Sequence, residues 1–359
     1  MALSCRSMLF EAHRILYRSI SLSDTQIPLL YRTISTSSFH ASLIRRLEFI
    51  GSEQLDIFIL ETLAHTLNIL PRLKYLAIRR KSGRPTYQHQ YGYYRTLLAF
   101  RSSRLCGFST NLFLQSSPQV MEFLSAHPRI TVLNLEGRRN FPASQSGSLF
   151  LPSLRTLSCS STFLRTLTEP SMQNVVRLHL REYTLDDLTQ LGLLSGSRLR
   201  ALRLGVLEKR DDERTAWSVG EFAGRFPGLE LLQMNMENQH GPLATTYSRP
   251  YRMMNWPIDF RRGSPYTEPS SRRFRAPLAI IWSYPHLHDV ADVVTRSAAD
   301  WILFLDGRAF EVLKASSSYL DRIVYSLPPT YVSAKLGPDQ SYLVSTRYVE
   351  MAILDDFTD

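Results

Sequence analysis

In "PHLHD" the residues His286, His288 and Asp289 stand close enough to share one metal ion, because alternate strand residues face the same way and imidazoles and carboxylates are ordinary zinc ligands. No further, distant ligand is implied by spacing. A surface loop or strand is the simpler reading, and no metal site is expected. Other chemistries lack their signatures, since GxxxxGK[ST], GxGxxG, GxSxG and HExxH are all missing. The chain reads as a binding protein without a cofactor, not as an enzyme.

The clearest binding chemistry is cationic. "RLHLR" alternates Arg177, His179 and Arg181, and Arg203 follows in "ALRLG". A guanidinium offers paired N–H donors that match a carboxylate or a phosphate, so these groups on one surface would suit an acidic or phosphorylated peptide. The alternative is a solvated face whose arginines pair with Glu182 or Glu208. The choice turns on the elements that carry these residues.

Those elements follow a repeated pattern, apolar-x-x-apolar-x-apolar. It begins at Ile44, Leu73, Leu105, Ile130, Leu154, Val175, Leu199 and Leu229, with starts 21 to 32 residues apart, and returns at Leu320. Pro or Ser stands two residues before every start except Val175. Each unit reads as a short strand followed by a helical return segment, and alone it would leave an apolar face wet. "SSPQVMEFLSAHP" places Val120, Phe123 and Leu124 on one helical face. "YTLDDLTQLGLLSG" has Thr184 as N-cap, Asp186 and Asp187 in the first turn, Leu188, Leu191 and Leu194 inward, and Gly196 at the end. The predicted fold is an α/β leucine-rich-repeat-like solenoid of short parallel strands alternating with helices. Its asparagine ladder is missing, because Ser52, Lys81, Phe113, Arg138, Thr162, Tyr183, Leu207 and Glu237 occupy those places. Irregular curvature is therefore expected.

Strand alternation then assigns a face. If the second and third apolar positions point inward, the residues beside them, including Arg177, His179, Arg181 and Arg203, line an open concave surface.

Residues 2–23, "ALSCRSMLFEAHRILYRSISLS", contain Cys5, Arg6, Ala12, Leu16, Tyr17, Arg18 and Ile20 in an order that resembles the closing helix of an F-box and its exit into repeats. With the degenerate repeats that follow, the chain is similar to the large fungal group of F-box proteins with leucine-rich-repeat-like domains. The resemblance implies a Skp-type adaptor of a cullin-RING ubiquitin ligase as one partner and a protein substrate, held by the repeats, as the other. The leading F-box helices would stand before Met1, so adaptor binding is implied only if a longer F-box exists upstream. Residues 1–24 are otherwise read as an N-terminal cap helix that seals the first repeat. Residues 25–359 form the solenoid, with insertions near 79–104 and 239–282 and a closing strand region at 320–354.

Composition narrows the partners. Lys and Arg outnumber Asp and Glu by 42 to 32, a formal charge of +10 that favours acidic partners. Two stretches, 79–104 and 248–277, interleave arginine with aromatic residues, as a basic nucleic-acid-associated protein would, but Pro and Gly mark them as loops and nucleic acid is not the expected partner. Three dispersed cysteines, no CxxC pair and no Asn-x-Ser/Thr sequon fit a reducing compartment, cytoplasm or nucleus. No apolar run is long enough to span a bilayer, so no membrane partner is expected.

Overall fold

A computed structural model describes residues 2–52, 56–81, 87–112, 118–136, 148–207, 217–218, 224–235, 258–259, 278–283, 320–327, 330–336 and 342–348. The chain divides into two units, Met1–Asn174 and Val175–Asp359.

In the first unit the order is α1 (Ala2–Arg18), β1 (Ser19–Ser23), α2 (Ile27–Thr36), α3 (Ser38–Leu43), β2 (Arg46–Gly51), α4 (Ile57–Ile69), β3 (Tyr75–Arg80), α5 (Tyr87–Ala99), β4 (Gly107–Thr110), α6 (Pro118–Ser125), β5 (Val132–Leu135), β6 (Thr156–Cys159), α7 (Ser161–Leu164) and α8 (Glu169–Gln173). The strands pair in chain order, β1 to β6, all parallel. Helices α2, α4, α5 and α6 pack side by side as a second layer.

The registers explain the sequence pattern. Ile20, Leu47, Leu76, Phe108, Leu133 and Leu157 stand in one row, and Leu22, Phe49, Ile78, Thr110 and Leu135 in the next. From Leu47 and Phe49 onward every member of both rows is buried, as are the starts Ile44, Leu73, Leu105, Ile130 and Leu154. Each buried Leu or Phe contributes about 1.5–3 kcal/mol, so the pattern records the core and not a motif for its own sake. Thr110 is the polar exception, and its Oγ1 accepts the Leu112 N–H at 3.1 Å.

Three features differ from the expectation. Residues 19–23 are a strand of the ladder, so the cap helix stops at Arg18. The stretch 79–104 is no long inserted loop where it is described, since Arg79 and Arg80 end β3 and residues 87–99 are the return helix α5. One asparagine does bond neighbouring backbone. Asn111 Oδ1 accepts the Arg80 N–H and its Nδ2 donates to the Arg80 carbonyl, each at 2.8 Å, beyond the end of the four-residue strand β4.

In the second unit β7 (Arg177–Tyr183) and α9 (Leu185–Ser195) are followed by β8 (Ala201–Leu207), β9 (Trp217–Ser218), β10 (Leu231–Asn235), β11 (Ile258–Asp259), β12 (Leu278–Ser283), β13 (Leu320–Leu327), β14 (Thr330–Leu336) and β15 (Tyr342–Tyr348). The sheet order is β7, β8, β10, β12, β13, β14, β15, parallel as far as β13 and antiparallel beyond it, while β9 pairs with β11. Leu178, Leu202, Leu232, Ile280 and Ile323 align, as do Leu180, Leu204, Met234, Trp282 and Tyr325. Strand β12 fills the slot between the units starting at Leu229 and Leu320, so the end of the expected 239–282 insertion belongs to the ladder.

Helix α9 begins as its sequence demands. Thr184 Oγ1 accepts the Asp187 N–H at 3.2 Å, and Asp187 Oδ2 accepts the Thr184 N–H at 2.8 Å. Leu188 and Leu191 are buried, whereas Leu194 is only partly so. Gly196 has a right-handed φ of −55°, so it does not serve a left-handed cap; a Cβ there would collide with the Arg225 carbonyl oxygen. Thr184→Ala removes the reciprocal cap and leaves the buried Asp187 carboxylate short of a donor, so a loss of about 1–2 kcal/mol in urea denaturation is expected.

Candidate functional site

The candidate site is the sheet face opposite the buried rows. On β7, Leu178 and Leu180 are fully buried, while Arg177, His179 and Arg181 between them are only partly so. On β8, Leu202 and Leu204 are buried and Arg203 is partly exposed. Alternation therefore carries Arg177, His179, Arg181 and Arg203 to one face.

Register makes the group compact. His179 stands opposite Arg203, Arg177 opposite Ala201, and Glu182 opposite Val206. Small residues flank Arg203 on its own strand, Ala201 before it and Gly205 after it. Gly205 is required, because a Cβ would collide with the backbone of Arg181. The close approach of β7 and β8 at this point thus sets the Arg181 backbone against Gly205.

The electrostatics follow from that packing. Burial, then the neighbouring Arg203 and Arg181, push the His179 pKa down to about 2. His179 is thus a neutral imidazole among guanidinium groups, able to donate through one nitrogen and accept through the other. Arginine, not histidine, supplies the positive charge here. Such a surface can hold a carboxylate or phosphate in hydrogen-bonded ion pairs.

The equivalent face of the first unit is different. Ser21 Oγ donates to Glu48 Oε2 at 3.0 Å, Glu48 Oε1 lies 3.3 Å from Arg79 Nε, Arg79 Nη2 lies 3.7 Å from Glu136 Oε1, and Asn134 Nδ2 donates to the same oxygen at 3.0 Å. Arg79 heads an arginine-aromatic stretch in the sequence, yet in the fold it is tied between two carboxylates. This network escapes linear reading because its members come from four strands. Its signal is the shared alternate position on β1, β2, β3 and β5.

His127 is a second buried histidine. Its Nδ1 donates to the Phe123 carbonyl at 2.7 Å and its Nε2 accepts the Ser102 N–H at 3.3 Å, while Phe100 and Phe123 pack against the ring. Burial lowers its pKa. Both histidines are held below the ordinary value of about 6.5, so the unfolded chain takes up protons first as pH falls. Their contribution to stability is complete above about pH 6.5 and is lost as pH falls toward the folded values, at up to about 1.4 kcal/mol per pH unit for each. His179→Asn should therefore match the parent near pH 7.5 and exceed it by about 2 kcal/mol near pH 5 in denaturant titrations.

His286, His288 and Asp289 lie outside the described residues, as do most of 248–277 and Glu208. Among the described residues no group of three or more His, Cys, Asp or Glu side chains could hold a metal. Among the same residues no helix is long and apolar enough to cross a membrane. No protein-family model matches the chain, and no curated protein is significantly similar to it.

Proposed function

We propose that the chain is a degenerate leucine-rich-repeat solenoid that recognises a protein substrate, as part of an SCF-type ubiquitin ligase, and that it is a binding module without catalysis. The observation that carries this reading is the cationic face of β7 and β8, where Arg203 and Arg181 act on a neutral His179 and Arg177 shares the same face. The contiguous rows of buried apolar residues support the solenoid, because each strand completes the core of its neighbour.

Helix α1 supports the ligase context. Its Phe10, His13 and Tyr17 pack on Phe39 and His40 of α3, with Tyr17 stacked at 4.6 Å from the His40 ring. The opposite side leaves Met8, Leu9, Ile15 and Leu16 57–74% exposed. An apolar helix face of this size suits a helical partner, and it falls where the sequence resembles an F-box.

The test is comparative ubiquitin-remnant proteomics with affinity capture. Proteins captured by the chain at physiological salt should include proteins whose ubiquitination rises when the chain is expressed, whereas a Skp-type adaptor is expected among them only if a longer F-box exists upstream. Capture of no protein whose ubiquitination changes contradicts the proposal.

A further inference from the structure

Each strand of the first unit is entered past a cation. Arg18 precedes β1, Arg45 precedes β2, Arg72 and Lys74 precede β3, Arg104 precedes β4, Arg129 precedes β5 and Arg155 precedes β6. In the repeat pattern Arg45, Arg72, Lys74, Arg104, Arg129 and Arg155 directly flank the first, fully buried apolar position, which turns their side chains out of the core.

Backbone hydrogen bonds lock these entries into one rim. Arg45 N–H donates to the Arg18 carbonyl at 3.0 Å, Lys74 to Arg45 at 2.8 Å, Cys106 to Lys74 at 2.7 Å, Thr131 to Cys106 at 2.7 Å and Arg155 to Thr131 at 2.9 Å. At about 4.8 Å between strands the rim is roughly 24 Å long. Seven cations over that length give a mean spacing of roughly 4 Å, comparable with the ~3.4 Å per phosphate along one strand of duplex DNA.

Among the described residues, no carboxylate forms an ion pair with any of the seven rim cations, whereas Arg14, Arg79, Arg101 and Arg200 each have at least one. Arg45 is held below the usual guanidinium range by burial and then by the repulsion of Arg72, Arg104 and Arg18. A fold keeps such repulsion at little gain to itself. A folded protein partner would need a broad apolar centre among the charges, where the described rim exposes only Tyr75 beside Lys74, whereas a polymer with regularly repeated negative charge needs only the cations.

We propose that the strand-entry rim of the first unit binds the phosphate backbone of a nucleic acid without reading its sequence. The ligand class and the surface are both distinct from the open-face recognition argued above, and neither depends on the other.

The full chain should bind a fluorescein-labelled 20-nucleotide oligouridine and a mixed-sequence 20-base-pair DNA, with affinity falling steeply between 50 and 200 mM salt. The triple variant Arg45→Gln, Arg72→Gln, Arg104→Gln should lower the affinity at least ~10-fold and reduce the log–log salt slope for RNA by about 2. Its thermal midpoint should stay level or rise as repulsion is relieved. Arg32→Gln with Arg95→Gln, on helices α2 and α5 of the same unit, should leave binding unchanged. The proposal is overturned if neither nucleic acid binds at 50 mM salt, or if the rim variant binds like the parent. It is equally overturned if phosphatidylserine vesicles or polyglutamate depend on the rim arginines more strongly than RNA does.

Discussion

Leu157→Asp should unfold the first unit as a whole and not a single repeat. Leu157 is fully buried and stands in register with Leu133, whose row runs through Phe108, Leu76 and Leu47. An unpaired carboxylate there costs about 4 kcal/mol or more, a large share of the roughly 5–15 kcal/mol that holds an ordinary domain. The neighbouring Ser158→Asp faces the other way and should cost within about 1 kcal/mol. Circular dichroism and limited proteolysis of the pair check the alternation directly. A protease-resistant Leu157→Asp, or a Ser158→Asp that unfolds equally, would refute the assignment of faces.

The second large effect is on binding. Arg177→Glu together with Arg203→Glu should leave thermal stability within about 1 kcal/mol, since both side chains lie on the partly exposed face. Capture of the main protein partner should nonetheless fall by at least ~100-fold, as two charged contacts become repulsions. A titration by surface plasmon resonance against the captured partner reads this. Retention of the parent affinity at physiological salt contradicts the cationic site.

Much of the first unit's ladder was legible because its signal is local. An apolar residue three before another and five before a third, with Pro or Ser two residues earlier, marks where a strand enters the core, and the starts, second and third positions of β2 to β6 are all buried. Where the pattern hid, the cause is specific. Tyr17, Ile20 and Leu22 satisfy the same spacing, but Tyr17 ends a helix and stacks on His40, so β1 was masked by its own leader. For β12, Pro277 occupies the first position of the spacing that leads to Ile280 and Trp282, and a continuous apolar run replaces alternation. Gly196 marks the end of α9 in the sequence, but the sequence does not show that the fold uses its missing side chain to admit the Arg225 carbonyl.

The placement of the candidate residues was legible to the same degree. Alternation predicts that Arg177, His179 and Arg181 share a face, and register then supplies what no spacing holds, the opposition of His179 and Arg203. The Glu48–Arg79–Glu136 network and the cationic rim depend on register as well. The rim residues had a linear signal in hindsight, a cation beside the first apolar position of unit after unit, but its meaning comes only when the entries are stacked.

The central claim is that the β7–β8 face receives the protein partner. A photo-crosslinking amino acid placed at position 179 or 203, and separately at the 73%-exposed Leu193 on α9, tests it most directly. The account predicts crosslinks to the captured partner from 179 and 203 and none from 193. Crosslinks from 193 alone would place recognition on the helical layer and contradict the account.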